Sequence, residues 1–300
     1  MIMVAENETA VVVGPPQILK NQAQSSIHDP VEAQKLGFRG PAVGANVHLD
    51  LFVPPLTEVY GNCWLEKGAL SLYFLNVVVS GEQARGVVER PSHDGAQVNI
   101  REERADDPSI VVSSGTASLG DHSRSALRTR DLKTCDDGQL RMLKGLKVGQ
   151  PFASRQLIIP RARQERQLEV GELADQMGWY SGRSPWGDPI ASMNNTSLMM
   201  TFLINDDDTV VPKDTVSPHI GDALSIFGAF EIAFENGPVF LDRPYTIEGN
   251  VVGVGDSPKT ELLWWDAVAL DGKGVPVVRM RHLFRFMKAS SPLYPELSAE

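Results

Sequence analysis

His28 and Asp29 stand side by side in Ser26-Ile27-His28-Asp29-Pro30, where the chain most plainly spells out acid–base chemistry. An imidazole with a reference pKa near 6.5 takes up or releases a proton at small cost, and a neighbouring carboxylate can orient it or activate water. His28-Asp29-Pro30 also suits the start of a helix, because Ser or Asp caps exposed amides and proline fits the first turn. Other polar groups lie close in sequence, namely Asn21, Ser25 and Ser26. Arg39 follows in a glycine-punctuated loop, Phe38-Arg39-Gly40-Pro41-Ala42-Val43-Gly44, where a guanidinium could grip a phosphate or carboxylate with two hydrogen bonds or simply face solvent. His48, one turn into the next segment, either faces a pocket or is a half-buried helix histidine. Three further histidines carry less weight: His93-Asp94-Gly95 reads as a hairpin turn, His219 follows a proline in a loop, and His282 reads as a strand residue solvated beside arginines.

Elements to position these groups can be read in order. Ala10-Val11-Val12-Val13 is a β-branched run stopped by Gly14-Pro15-Pro16, hence a first strand. The pattern predicts a short helix over Pro30 to Leu36, ended by a left-handed cap at Gly37. Ala45 to Leu51 and Leu56 to Trp64 read as helical pieces, broken or bent by Pro54-Pro55. Strands are predicted for Ala69 to Val79, Ala84 to Glu89, Ala96 to Glu103 and Ser109 to Ser118. Asp121 to Gly149 is charged and poorly patterned, as expected of a connector with some helix, so the halves divide into residues 1–149 and 150–300.

The second half repeats the first in outline. Val31 to Phe38 aligns with Glu172 to Trp179, bringing Ala33 onto Ala174 and Gly37 onto Gly178, while Ala69 to Tyr73 aligns with Ala223 to Phe227. The difference in spacing implies extra residues in the second half, with Asn205 to Asp208 as the candidate insertion. Asp188 to Leu203 reads as a second central helix, rich in Met, Asn and Thr. Strands are predicted for Gly221 to Phe234, Tyr245 to Val254, Glu261 to Leu270 and Val275 to Met287. Two copies of a helix followed by an antiparallel sheet make an α+β architecture. Only the first copy has the histidine, since the position matching His28 is Glu169. Trp179, Trp186, Trp264 and Trp265, with Met193, Met199 and Met200, are assigned to packing.

Composition narrows the functions. The chain has 300 residues, 42% of them hydrophobic, which can bury one large core or two of half the size. A net charge of −10 offers no footprint for nucleic acid or anionic lipid. Cys63 and Cys135, the only two cysteines, lack the spacing of a disulfide framework or zinc site, which fits a reducing cytoplasm. No run reaches the ~20 apolar residues of a membrane span, and the N-terminus does not read as a cleaved signal. There is no GxSxG elbow, GxxxxGK[ST] loop, HExxH or GxGxxG after a strand; Val252-Gly253-Val254-Gly255 reads as a strand-to-turn pair.

The stretch from Ser26 to Gly44 is similar to a signature of His, acidic residue, Ala, Gly-Phe and then Gly before a central helix. With the duplicated order of elements, it makes the chain resemble the MaoC-like acyl dehydratases and (R)-specific enoyl-CoA hydratases over nearly its whole length. The resemblance implies a double hot-dog fold, two repeats of a central helix wrapped by an antiparallel sheet. It also implies a cofactor-independent lyase that adds or removes water beside a thioester carbonyl, on coenzyme A or an acyl carrier protein. His28 would move the proton, Asp29 would assist, and the amides of Gly44, Ala45 and Asn46 would take the carbonyl charge. Asn21, Arg39 and His48 complete the candidate substrate contacts. A homodimer, no metal and no cofactor are expected. The sequence departs from the signature at Ala23, which stands five residues before His28 where the family has its catalytic Asp. That departure keeps other chemistries open: a hot-dog thioesterase using Asp29 or Glu58, a natural-product dehydratase, isomerase or cyclase acting on a non-thioester, or a non-catalytic binding protein.

Overall fold

The computed structural model describes residues 10–20, 26–35, 37–132, 134–135, 137–204, 220 and 223–297. Asn21, His219, the candidate insertion and Gly221 lie outside them.

The first half opens with β1 (Val11–Val13) and β2 (Gln17–Ile18), then α1 (Pro30–Lys35). Asp29 caps α1 by accepting the Val31 and Glu32 amides on Oδ1, at 2.8 and 3.0 Å. Gly37 closes it at φ +77°, its amide donating to the Gln34 carbonyl while that of Phe38 donates to Ala33. Next comes a central segment, a 3-10 helix over Val47–Phe52 that runs without a break into α2 (Val53–Tyr60). Pro54 and Pro55 were expected to interrupt it. They fall instead in the first turn of α2, where proline lacks only an amide that has no partner within the helix. After α3 (Trp64–Lys67) come β3 (Gly68–Phe74), β4 (Gln83–Glu89), β5 (Val98–Arg104) and β6 (Val111–Leu119).

The second half contains β7 (Arg155–Ile158), α4 (Arg161–Glu169), α5 (Met193–Met200), β8 (Ser225–Phe234), β9 (Pro244–Asp256), β10 (Thr260–Leu270) and β11 (Pro276–Met287). Three expectations change here. Residues 172–179, aligned with α1, are not helical, and the helix of this region is the earlier, arginine-rich α4. The second central helix is shorter than 188–203. The glycines of Val252 to Gly255 sit inside β9, beside a register shift against β10, rather than at a turn.

All the strands pair antiparallel in one sheet, ordered β1-β4-β5-β6-β3-β8-β11-β10-β9-β7, with β2 also on β4. The two halves join through β3 and β8, where Ala69 pairs with Ala233 and Tyr73 with Ala229. One face of the sheet wraps the central segments. Leu49, Leu51, Phe52 and Leu56 are buried with Leu70, Leu72, Val88, Ile100 and Val112, and Met199 and Met200 with Phe230, Trp265 and Phe284. Each such side chain contributes roughly 1.5–3 kcal/mol by leaving water.

The connector covers part of the opposite face. Leu127 is buried against Ala229, Trp264 and Leu283. Arg128 reaches both Glu231 at 2.5 Å and Asp266 at 2.7 Å, and Arg281 shares Asp266. Farther along, buried Glu261 accepts the amides of Arg141, Met142 and Leu143. Its described helical content is a single 3-10 turn over Asp137–Gln139. These charge and amide contacts hold in place a segment that has no regular hydrophobic pattern.

His282 corrects the sequence reading. Strand parity sends Arg279, Arg281 and Arg285 to one side and His282 to the other, into the core among Phe227, Phe230, Phe284 and Trp265. It is fully buried, its Nδ1 donates to the Ala229 carbonyl at 2.8 Å, and burial lowers its pKa to about 3.

Candidate active site

His28 ends a 3-10 turn over Ser26–His28 that is fastened to the glycine loop by the Ala42 amide donating to the Ile27 carbonyl at 3.0 Å. The imidazole is half-buried, and its Nδ1 lies 2.6 Å from the Ala42 carbonyl. A carbonyl only accepts, so Nδ1 carries the proton and Nε2 is the basic nitrogen of the neutral ring. Burial lowers the pKa below 6.5, partly opposed by that carbonyl, so the ring is neutral at pH 7.

The loop continues past His28 at close range. A β-carbon on Gly44 would make an ordinary 3.8 Å contact with His28 Cε1 but sit 2.7 Å from Asn46 Oδ1, so a larger residue here has to displace the Asn46 side chain or shift the loop. Gly44 and Ala45 are partly exposed and Asn46 is buried. The Val47 amide returns to the Gly44 carbonyl at 3.0 Å, starting the 3-10 helix here. The structure thus brings together His28, Gly44, Ala45 and Asn46.

Other candidates are placed elsewhere. Asp29 makes the hydrogen bonds of a helix cap. Arg39 is more than half exposed and paired with Glu82 through both terminal guanidinium nitrogens, at 2.8 and 3.2 Å. It lines an open surface cleft of about 550 Å³ with Phe38, Asn76, Val77 and Arg104. His48 turns inward and is not half-buried as expected: its Nδ1 meets Glu102 Oε1 at 2.6 Å, and Ser113 donates to the other oxygen at 3.0 Å. Glu58 is exposed and bound to Arg90. His93 lies in the expected turn, with Gly95 at φ +73°.

Sequence reading missed the residues behind the loop. Asn46 donates its amide to Asn194 Oδ1 of α5. Asp50 accepts from the Tyr180 hydroxyl at 2.5 Å and from the Met193 and Asn194 amides at 2.9 and 3.0 Å. Burial raises its carboxyl to about 6, against the pull of those three donors. One signal was present: an aspartate inside Val47-His48-Leu49-Asp50-Leu51-Phe52-Val53 must be partnered if that run is core. Among the described residues, no cluster of three His, Cys, Asp or Glu could hold a metal ion, and no helix is long and apolar enough to cross a membrane.

Neither a protein-family model nor a curated protein matches this sequence. Solved structures do. A putative MaoC domain dehydratase from Chloroflexus aurantiacus superposes with a TM-score of 0.55 at 11% identity, covering 93% of this chain and 95% of that one. A conserved hypothetical protein of Mycobacterium tuberculosis with a double hotdog fold gives 0.54 at 12% identity, over 93% and 96%. The fold is the double hotdog. A third structure, described as a MaoC-like dehydratase, gives 0.50 at 12% identity over 93% and 98%. The double hotdog architecture accounts for the joined sheets and the two central segments, and its structural neighbours here are MaoC-like dehydratases. At this identity the likeness is one of fold, and the chemistry has to be argued from the residues.

Proposed function

We propose that the protein is a cofactor-independent lyase that removes water from, or adds it to, an acyl thioester, with His28 as the proton-transfer group. The observation that carries this reading is the imidazole held by the Ala42 carbonyl against the Gly44 loop in a double hotdog. In the dehydration direction, Nε2 takes the C2 proton of a 3-hydroxyacyl substrate. The imidazolium returns that proton to the departing C3 hydroxyl, so that a 2-enoyl product and water leave. The enolate oxygen formed between these events is met by the Gly44, Ala45 and Asn46 amides at the start of the 3-10 helix. A single imidazole serves both transfers, consistent with Ala23 in place of a carboxylate. Asp29 keeps the capping task that its hydrogen bonds describe.

Thioester hydrolysis is less well supported. It needs a carboxylate or an equivalent base aimed at water, and Glu58 is bound to Arg90 on the surface while Asp29 serves α1. A panel of 2-enoyl-CoA and 3-hydroxyacyl-CoA substrates, followed by enoyl absorbance and free thiol together, separates the two. Change in absorbance without thiol is expected. Thiol release would identify a thioesterase, and silence in both channels would move the search to non-thioester carbonyl compounds.

A further inference from the structure

We infer that the candidate site is completed across the two halves of the chain: Asn194 sets the Asn46 amide beside Gly44 and His28, and Asp50 is the positioning residue that holds Asn194. The inference rests on the reading of His28 and the Gly44 loop as the active site, and it adds a contribution from the half that has no matching histidine.

The links are all hydrogen bonds within a buried region. Asp50 Oδ2 receives the Asn194 amide at 3.0 Å, and Oδ1 receives the Met193 amide at 2.9 Å and the Tyr180 hydroxyl at 2.5 Å. A carboxylate from the first half thus closes the first turn of a helix in the second, whose own cap, Ser192, is taken up by the Asn195 amide at 3.1 Å. The Asn194 side chain then accepts the Asn46 NH2 group.

That last bond fixes which way round the Asn46 amide lies. With its NH2 engaged by Asn194, its carbonyl oxygen is the atom turned to Gly44, 2.7 Å from where a β-carbon would be. An acceptor thereby stands at the loop beside His28, suited to a water molecule or a substrate hydroxyl. Without Asn194 the amide could turn over and present a donor there instead.

The arrangement depends on the charge of Asp50. The groups facing it are the Tyr180 hydroxyl and, at longer range, the Asp175 carboxylate, and α5 has no ionisable residue. Burial raises the Asp50 carboxyl to about 6 and the Tyr180 phenol well above 10. When Asp50 gains a proton, the oxygen that carries it becomes a donor, and the hydrogen bonds around the carboxyl rearrange.

Selective labelling of the full chain tests this without a substrate. The Asp50 carboxyl carbon and the Asn46 side-chain NH2 are followed by NMR from pH 4.5 to 8 in wild type, Asn194→Ala and Tyr180→Phe. In wild type the Asn46 resonances should move with the midpoint of Asp50. In Asn194→Ala they should become flat while Asp50 still titrates, and in Tyr180→Phe both midpoints should rise together. Asn46 resonances that ignore Asp50 in wild type, or that follow it unchanged in Asn194→Ala, would overturn the inference. A coupled titration with an inactive substrate panel would count against the proposed reaction alone.

Discussion

His48 and Glu102 meet inside the first half, Nδ1 to Oε1 at 2.6 Å, with both side chains withdrawn from solvent. Removing one member of such a pair strands the other in the core, at about 3–5 kcal/mol. His48→Ala should therefore lower stability by about that amount in urea unfolding. The double replacement His48→Phe, Glu102→Leu should recover more than half of the loss, since it removes both polar groups and refills the space. Equal losses from the single and double changes would show that the pair is not the source of the effect.

Asp29 separates capping from catalysis. Its carboxylate serves the Val31 and Glu32 amides, and losing a cap of this kind costs about 1 kcal/mol. Asp29→Ala should lose that stability and keep turnover within about twofold of wild type. A collapse in turnover at unchanged stability would return Asp29 to the chemistry.

Gly44 tests the loop. An added β-carbon would sit 2.7 Å from Asn46 Oδ1, so the amide or the loop must move. Gly44→Ala should reduce turnover by about tenfold or more, since even a small misplacement near the reacting atoms is costly. The melting temperature should fall only a few degrees, and wild-type turnover in this variant would remove the loop from the site.

His282 predicts a pH signature. Its folded pKa lies near 3, well below the unfolded value of 6.5. The unfolded chain therefore takes up the proton first as pH falls, and the stability present above about pH 6.5 is lost progressively toward pH 3. His282→Phe, which is close in size and enters an aromatic setting, should flatten the pH dependence of unfolding between pH 6.5 and 4. An unchanged slope would assign acid lability to other groups.

Much of the fold is written in local patterns. Strand-like runs marked β10 and β11 nearly to their ends, and Gly37 marked the end of α1. Proline was misleading at Pro54-Pro55, because sequence alone does not distinguish a helix break from a first turn. The arginine-rich α4 carries little hydrophobic pattern to read, and its buried Gln164 and Gln167 are satisfied by partners distant in sequence. For His282 the neighbouring arginines suggested solvent, although strand parity separates it from them. Within the site, His28 and the Gly44 loop were legible because they are close in sequence. The links from His48 to Glu102, and from Asp50 to the Tyr180 hydroxyl and the Asn194 backbone amide, join groups separated by 54, 130 and 144 positions, which only the folded sheet brings together.

If His28 moves the proton, its replacement removes turnover and leaves the fold. Turnover of the best substrate in the 2-enoyl-CoA and 3-hydroxyacyl-CoA panel would be compared in wild type and His28→Ala, with melting temperatures measured in parallel. His28→Ala should lose about two to four orders of magnitude in turnover, the usual contribution of a positioned acid–base group, at a melting temperature within a few degrees of wild type. Turnover equal to wild type in a folded His28→Ala protein would contradict that role for His28.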